Sequence, residues 1–194
     1  MPRVNTNISL IGNYNPDWTM GLVNGFTYKN INLRAFIDYR SGGSIYSYTS
    51  AIMYRAGVIE ASVPNRETPF VPAGVIQNAD KSFSPNTITS TGQNYYRNYF
   101  LANNIGANTY DATFMKIREV SLGVNLKNYF PKLPIARADI SIFGRNLYTW
   151  TKDKFVSQIN PEAFAFNGGT LVPGFEAGQL PNTRTYGFNL TIGF

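Results

Sequence analysis

The last eleven residues of the chain alternate without interruption between apolar side chains and small or polar ones. Because successive side chains of a strand point to opposite faces, residues 184–194 are predicted to form a strand with one apolar face. Such alternation over roughly ten residues is typical of membrane-spanning strands in outer-membrane barrels, whose apolar face contacts lipid. The side chains predicted to face lipid are Tyr186, Phe188, Leu190, Ile192 and Phe194.

Four earlier segments show the same alternation less regularly, and they predict four more strands. The chain is therefore predicted to be all-β, with about five antiparallel strands that belong to a large transmembrane β-barrel. The five predicted strands cover about 19–29, 31–40, 114–126, 137–148 and 184–194.

The alternation has exceptions in four of the predicted strands, and the first of them is Asn24 on the apolar face of the first strand. Phe36 and Phe143 fall on faces that are otherwise polar, and Lys116 and Arg118 share the apolar phase of the third strand. Two explanations stay open at this stage. Charged positions are tolerated where a strand extends beyond the hydrocarbon, and a β-bulge near residues 145–146 would shift the phase of the fourth strand.

The connections between the predicted strands alternate between short and long. A tight hairpin and a turn at 127–136 are short, whereas the loops at about 41–113 and 149–183 far exceed the roughly 15 residues usual in compact domains. Transmembrane barrels combine short periplasmic turns with long extracellular loops. With Phe194 at the periplasmic end, both long loops and the leading residues 1–18 are predicted to lie outside the cell.

Composition and charge exclude several classes of function. The net charge is +6, but the cations are scattered singly and do not interleave with aromatics as a nucleic-acid surface requires. The absence of His and Cys excludes Ser-His and Cys-His catalysis as well as imidazole and thiolate metal sites. Loop carboxylates such as Glu162 and Glu176 have no fixed frame for acid–base catalysis. We expect no catalytic site, no cofactor, no metal and no enzyme activity.

The residues 1–8 contain no apolar stretch of the kind that a secretory signal requires. The chain is therefore either cytosolic or a piece of a longer exported protein.

Five segments, taken in order, resemble the C-terminal barrel region of the SusC/RagA-type TonB-dependent transporters. Together they cover nearly the whole chain. They are Ile11-Gly-Asn-Tyr-Asn-Pro-Asp-Trp-Thr with the strand that follows it, Phe36-Ile-Asp-Tyr-Arg-Ser-Gly-Gly-Ser-Ile-Tyr, Phe114-Met-Lys-Ile-Arg-Glu-Val-Ser-Leu-Gly, Ile142-Phe-Gly-Arg-Asn-Leu-Tyr-Thr-Trp-Thr and Pro181-Asn-Thr-Arg-Thr-Tyr-Gly-Phe-Asn-Leu-Thr-Ile-Gly-Phe.

The resemblance implies import of oligosaccharides or peptides across the bacterial outer membrane, with energy relayed by the TonB system. It also implies a plugged barrel of about twenty-two strands, a SusD-like surface lipoprotein as partner, and contact with membrane lipid. The plug domain and most strands are not part of this sequence. We therefore expect the chain to form only the last strands of the barrel, to need the remainder of the barrel and the plug, and to be inactive alone.

Charged residues on the polar faces of the second and fourth strands are candidates for contact with the lumen. They either touch the plug and the passing cargo, or form an ion-pair ladder that keeps the wall hydrated. These residues are Arg34, Asp38, Arg40, Arg137, Asp139 and Arg145.

The first long loop contains a dense aromatic cluster, Tyr95, Tyr96, Tyr99 and Phe100. Three interpretations of this cluster are equally open: packing within the loop, contact with the lipoprotein partner, and contact with cargo.

A different class of protein is the main alternative for the whole chain. In a secreted soluble β-sandwich that binds carbohydrate through aromatic loops, the apolar strand faces would pack into a core.

Overall fold

The computed structural model describes residues 8–129, 132, 134–167 and 169–194. These residues form two compact units, which we describe separately. The sheet unit contains Asn13–Ile45, Tyr110–Ala163 and Gln179–Phe194, and the loop unit is built mainly from Tyr46–Thr109 and Phe164–Gly178. Among the described residues, no helix has the length and apolarity needed to cross a membrane.

Five long antiparallel strands form the sheet unit and confirm the predicted fold class. They are β1 (Trp18–Tyr28), β2 (Ile31–Ser41), β7 (Phe114–Asn125), β8 (Arg137–Thr151) and β12 (Thr185–Gly193), numbered together with the short strands given below. They pair in the order β1-β2-β7-β8-β12, so each long strand lies beside the next one along the chain. Short and long connections alternate between them.

Seven short strands lie in the two long connections or at their ends. They are β3 (Ser44–Ser47), β4 (Val75–Gln77), β5 (Phe83–Pro85), β6 (Thr109–Asp111), β9 (Ala165–Asn167), β10 (Thr170–Val172) and β11 (Phe175–Glu176).

The observed strand ends lie within one residue of the predicted ones, except at the end of β8. Strand β8 continues to Thr151, whereas the sequence predicts an end near residue 148. Phe194 lies one residue beyond the end of β12 and is 93% exposed. The turn predicted at 127–136 lies partly outside the described residues. Residues 1–7, the start of the predicted leading segment, lie entirely outside them.

The apolar and polar positions separate onto the two faces of the sheet, as the alternation predicts. One row of paired residues crosses all five strands with apolar side chains: Phe26, Leu33, Leu122, Ile142 and Phe188. The next row carries small or polar residues: Thr27, Asn32, Gly123, Ser141 and Asn189. We call these two surfaces the apolar face and the polar face.

A β-bulge at Arg118 explains why two cations break the pattern of the third strand. In the pairing of β2 with β7, Phe36 lies opposite Glu119 and Ile37 lies opposite Ile117, so Arg118 is an extra residue. An extra residue shifts the alternation of its strand by one position. Lys116, which the uninterrupted pattern assigns to the apolar phase, is consequently on the polar face opposite Asp38.

A second irregularity lies beside the first, on β8. Ile117 pairs with Tyr148 and Glu119 pairs with Arg145, so Asn146 and Leu147 together face Arg118. Asn146 has a φ of 52°, in the left-handed region that Asn tolerates better than most residues. Of the two explanations that the sequence leaves open, a β-bulge near residues 145–146 is therefore present in the structure.

The two aromatic exceptions each cover a glycine of a neighbouring strand. A Cβ atom placed on Gly187 would meet the ring of Phe143 at 2.5 to 3.3 Å, and one placed on Gly21 would lie 3.5 Å from the ring of Phe36. Glycine leaves part of a strand without side-chain cover, and an aromatic ring from the adjacent strand supplies it. Phe36 and Phe143 thus stabilise strand pairing on the polar face.

A small apolar core lies at the end of the sheet where the long connections begin. Ile45, Ala112 and Val156 are buried together, with Tyr110 and Ile159 packed against them. Two backbone hydrogen bonds close this region, from Ala112 N–H to the Gly43 carbonyl (2.9 Å) and from Lys152 N–H to the Thr113 carbonyl (3.1 Å). The core fixes the start of the second long connection close to the strand ends.

The loop unit contains two short helices that the sequence analysis assigns to loops. Helix α1 (Tyr48–Ala56) begins after Ser47, whose hydroxyl accepts a hydrogen bond from Ser50 N–H, and it ends at Gly57, whose φ of 69° suits a C-cap glycine. Helix α2 (Gly92–Tyr99) is capped in the same way by Thr91. Short hairpins pair β4 with β5 and β9 with β10.

Candidate functional site

A cluster of four charged side chains lies on the polar face at the β-bulge. Arg118 forms salt bridges with Asp38 of β2 and with Glu162, and Lys116 forms a salt bridge with the same Glu162. Arg118 Nε lies 3.1 Å from Asp38 Oδ2, and Nη1 lies 2.9 Å from Glu162 Oε2. Arg118 therefore links a carboxylate of the sheet to a carboxylate of the second long connection. We call this group the clasp.

Glu162 reaches the sheet from a short turn in the second long connection. The side chain of Asn160 accepts a hydrogen bond from Glu162 N–H at 3.2 Å, and its carbonyl accepts one from Ala163 N–H at 3.0 Å. The amide groups of Asn160 and Asn182 also bond each other at 3.0 Å. Pro161 and Ala163, on either side of Glu162, are buried.

The two partners Lys116 and Glu162 differ in their access to solvent. The Lys116 side chain is fully buried, whereas that of Glu162 retains 28% exposure. Burial by itself would raise the pKa of the Glu162 carboxyl, but the hydrogen bonds and charges of Arg118 and Lys116 hold this pKa below its ordinary value. Glu162 is therefore a carboxylate at neutral pH.

Arg40 extends the cationic side of the clasp. Its guanidinium donates to the Tyr14 carbonyl at 2.5 Å and lies within electrostatic range of Glu162. Its buried Nε has no hydrogen-bond partner in the part of the chain that the structure describes. Three cationic side chains, from Arg40, Lys116 and Arg118, thus interact electrostatically with the Glu162 carboxylate.

Four of the remaining charged groups of the polar face form two separate pairs. Arg145 donates to Glu119 at 2.8 Å across the bulged strands. Asp139 accepts from Arg137 and, at 2.9 Å, from the Asn125 amide. These pairs are solvent-exposed, so each is expected to contribute at most about 1 kcal/mol to stability.

The apolar face of the sheet is exposed over its whole width. The ring of Phe26 on β1 is 61% exposed, Ile142 on β8 is 57% exposed and Phe188 on β12 is 72% exposed. A soluble protein rarely leaves so large a contiguous apolar surface in contact with water. A sandwich would bury these side chains, so their exposure favours a barrel wall over the sandwich alternative.

Two known receptors are similar to this chain in sequence. TonB-dependent receptor P3 of Formosa agariphila is 26% identical over 95% of this chain, and TonB-dependent receptor P26 of the same organism is 25% identical over 95%. The chain spans 17% and 18% of the length of these two relatives. No family model matches the sequence.

Solved structures of a peptide importer share the fold. The RagAB peptide importer in its closed-closed state superposes with a TM-score of 0.61 and 20% sequence identity, over 93% of this chain and 18% of the importer chain. A second RagAB structure gives a TM-score of 0.57 with 19% identity, over 92% and 17%. The resemblance to SusC/RagA-type TonB-dependent receptors is confirmed. The five-stranded sheet corresponds to part of the wall of such a barrel.

The structure brings together only some of the charged residues singled out as lumen candidates. Asp38 and Arg40 lie at or beside the clasp, whereas Arg137 with Asp139, and Arg145, belong to separate pairs. Arg34 makes no salt bridge with any described residue. Four of the six candidates, Asp38, Arg137, Asp139 and Arg145, are therefore ion-paired. Whether the six residues serve as an ion-pair ladder or meet a plug or cargo stays a prediction.

Sequence reasoning missed Lys116, Arg118 and Glu162 as members of the clasp, and it missed Glu119 as the partner of Arg145. The signal was present, because Lys116 and Arg118 are the two charges that interrupt the apolar phase of the third strand. Identifying them required knowledge of the bulge, which moves Lys116 to the polar face. Glu162 has no comparable signal, since its contact is made across 46 residues of sequence.

The aromatic cluster of the first long loop packs against other aromatic rings of the loop unit. Tyr54 of α1 stacks on Phe100 with ring centroids 3.6 Å apart, and Tyr95 stacks on Tyr99 at 5.5 Å. Tyr96 lies 5.6 Å from Tyr54 and donates its hydroxyl to the Ala61 carbonyl. These rings hold α1 against α2, which is the loop-packing interpretation; contact with a partner or cargo stays a prediction.

A buried carboxylate in the loop unit, that of Glu176, is held by hydrogen bonds from two neighbouring hydroxyl groups. Glu176 is 2% exposed and accepts hydrogen bonds from Ser47 Oγ at 2.5 Å and from Thr49 Oγ1 at 2.6 Å. It therefore joins β11 to the N-terminus of α1. No group of His, Cys, Asp or Glu among the described residues has an arrangement that could hold a metal ion.

Proposed function

We propose that the chain forms closing strands of an outer-membrane transporter that imports peptides or oligosaccharides with energy from the TonB system. The observation that carries this proposal is the two-faced sheet, whose exposed apolar rows lie opposite a polar face rich in ion pairs. Lipid solvates the first surface and a water-filled lumen solvates the second. The names of the two sequence relatives and of the RagAB importer support the same function.

In this proposal the apolar side chains of β12 face lipid, namely Tyr186, Phe188, Leu190, Ile192 and Phe194. Their exposed fractions, from 50% for Ile192 to 93% for Phe194, suit a surface covered by hydrocarbon. The short connections then lie on the periplasmic side, and the two long connections lie outside the cell. The activity belongs to a transporter and not to an enzyme.

Further strands are required, because β1 and β12 each have one edge without a pairing strand among the described residues. Unpaired backbone groups are costly in lipid, so both edges must pair with the remainder of the barrel. The proposed partners are therefore the rest of the barrel with its plug, a SusD-like surface lipoprotein over the long connections, and the TonB system. By itself the chain transports nothing.

Cell fractionation tests the proposed location. The protein should co-purify with outer membranes and should migrate differently in gel electrophoresis before and after heating, as folded barrels do. Recovery as a soluble monomer would contradict the proposal and favour a β-sandwich.

Growth experiments test the class of cargo. A strain that lacks the protein should lose growth on either a peptide mixture as nitrogen source or an oligosaccharide mixture as carbon source. It should keep growth on free amino acids and monosaccharides. Unchanged growth on both polymer mixtures, with the protein present in the parent outer membrane, would refute import of these cargoes.

A further inference from the structure

In the clasp, Lys116 and Arg118 form a carboxylate-binding site, and the carboxylate of Glu162 occupies it. The Glu162 carboxylate accepts hydrogen bonds from Lys116 and from both terminal nitrogens of Arg118. This two-pronged geometry is the usual way in which a guanidinium recognises a carboxylate. Glu162 belongs to the second long connection and not to the five-stranded sheet.

The wall cannot neutralise these cations without Glu162. Asp38 lies opposite Lys116 in the strand pairing, but its carboxylate is bonded to Arg118. Among the described residues, Glu162 is the anion that forms a salt bridge with Lys116. Its departure would leave a fully buried ammonium without a counter-charge, which is strongly unfavourable unless another anion arrives.

The occupant is also accessible from the solvent side. The Glu162 side chain keeps 28% exposure while the Lys116 side chain has none, so solvent reaches the Glu162 side chain but not that of Lys116. The free Nε of Arg40 offers a further donor within electrostatic range of the same carboxylate. An incoming anion would therefore meet three cations and a spare hydrogen-bond donor.

We propose that Lys116 and Arg118 form a binding site for a carboxylate of the cargo, and that Glu162 occupies this site until an anionic cargo displaces it. The inference rests on the proposed function, because cargo reaches the polar face only if that face lines the lumen. It narrows the cargo to molecules with a free carboxylate, such as acidic peptides or acidic oligosaccharides. Displacement would release the turn at residues 160–163 from the wall.

Thiol labelling of the full-length protein in detergent tests this proposal. Residues 1–194 contain no cysteine. Once any cysteine elsewhere in the full-length protein is replaced by serine, Ala163→Cys provides a reporter at a buried position beside Glu162. Labelling by a maleimide should be slow in this variant and about tenfold faster when Glu162→Gln is added, because a charge-assisted contact of ordinary strength holds the turn closed. If the Ala163→Cys variant alone is labelled rapidly, Pro161→Cys, at the other buried position, takes its place.

The decisive comparison uses two peptides of equal length. A short oligoglutamate should accelerate labelling of the reporter in the otherwise unchanged protein, whereas oligoglutamine should not. Ser157→Cys, which is already exposed in the same connection, serves as the control and should respond to neither. Equal acceleration by both peptides, no acceleration by oligoglutamate, or no effect of Glu162→Gln would each overturn the proposal.

The labelling assay distinguishes a failure of the carboxylate-site proposal from a failure of the proposed import function. The labelling assay needs only the folded protein and the probe peptide, so it gives its answer even if growth experiments show no import. Conversely, import of cargo without a response of the reporter would leave the proposed function intact and remove the carboxylate site.

Discussion

At the scale of single residues, we expect Glu162 to make the stability of the sheet unit depend on pH. Its carboxylate binds two cations, and their attraction lowers its pKa although burial opposes this shift. A carboxylate with a lowered pKa in the folded state stabilises the protein above its unfolded pKa, and the contribution is lost as pH falls through the folded value.

We therefore expect Glu162→Gln to destabilise the protein at neutral pH and to have little effect in acid. Below the folded pKa the native Glu162 is protonated and resembles Gln in charge and shape. Thermal unfolding of both proteins in detergent, measured over a series of pH values, checks this expectation. Glu67→Gln, at an exposed site, is the control. If the difference in unfolding temperature between Glu162→Gln and the native protein stays constant with pH, the electrostatic explanation is excluded.

A second prediction at this scale concerns the buried carboxylate of the loop unit. Glu176→Ala leaves the hydroxyls of Ser47 and Thr49 without their acceptor in a buried environment. Such a loss costs about 1–3 kcal/mol, and it falls on the N-terminus of α1. Hydrogen exchange of the amides in Tyr48–Ala56 should accelerate, while α2 should change less. Exchange in α1 that matches that of the native protein would show that Glu176 does not support the helix.

At the scale of elements, the paired irregularities of β7 and β8 determine which side chains meet the polar face. Arg118 is the extra residue against β2, and Asn146 with Leu147 faces it from β8. The shift in phase lets Met115 and Ile117 continue the apolar face while Lys116 turns to the polar one. Without it, a lysine and an arginine would lie among the apolar rows, at a cost that depends on their depth in the bilayer and reaches roughly 2–4 kcal/mol each only at the midplane.

Substitutions at Asn146 test the backbone conformation of the bulge. Asn146 adopts a left-handed conformation and donates its side-chain amide to the Thr183 carbonyl at 3.1 Å. Asn146→Val should destabilise the folded protein by at least about 1–2 kcal/mol, because a β-branched residue resists this conformation. Asn146→Gly should lose only the exposed hydrogen bond. Urea unfolding in lipid vesicles measures the free energy of unfolding of both variants. An equal loss of this free energy in Asn146→Val and Asn146→Gly would argue against a strained backbone.

At the scale of the whole molecule, the two faces of the sheet require two different solvents. The apolar face exposes side chains across five strands, and the polar face carries the clasp and the separate ion pairs. A barrel wall meets this requirement, because lipid and lumen water lie on its opposite sides. The likeness to the RagAB fold agrees with this arrangement.

A matched pair of substitutions in β12 tests this assignment of faces. Leu190 and Asn189 are neighbours near the middle of the strand and point to opposite faces. Leu190→Arg should reduce insertion of the full-length protein, by about 2–4 kcal/mol near the bilayer midplane, whereas Asn189→Arg should be tolerated. The fraction of heat-modifiable protein in outer membranes measures both. Equal tolerance of the two substitutions would contradict a lipid-facing Leu190.

Much of the sheet could be predicted from the sequence, because strand formation depends on a local pattern with period two. The alternation in residues 184–194 required no tertiary information, and the same holds for the segments that form β1 and β2. The exceptions were visible too. Phe36 and Phe143 stood out in the pattern, although the glycines that they cover lie on neighbouring strands.

The clasp could not be predicted from the sequence, because its members are brought together by pairing across long connections. Asp38 and Arg118 are separated by 80 residues, and Arg118 and Glu162 by 44. No periodicity relates such positions. The helices of the loop unit escaped prediction for a related reason: each is short, and each is stabilised by a cap and by aromatic contacts with its neighbour instead of a strong local propensity.

The sequence by itself determined that the chain forms two-faced strands joined by alternating short and long connections, because alternation and turn length are local properties. Tertiary structure decided which charges meet. It placed an extra residue at Arg118, turned Lys116 away from the apolar face and brought Glu162 from a distant turn to neutralise both. The physical reason is that a buried cation requires a counter-charge close in space, wherever that charge lies along the chain.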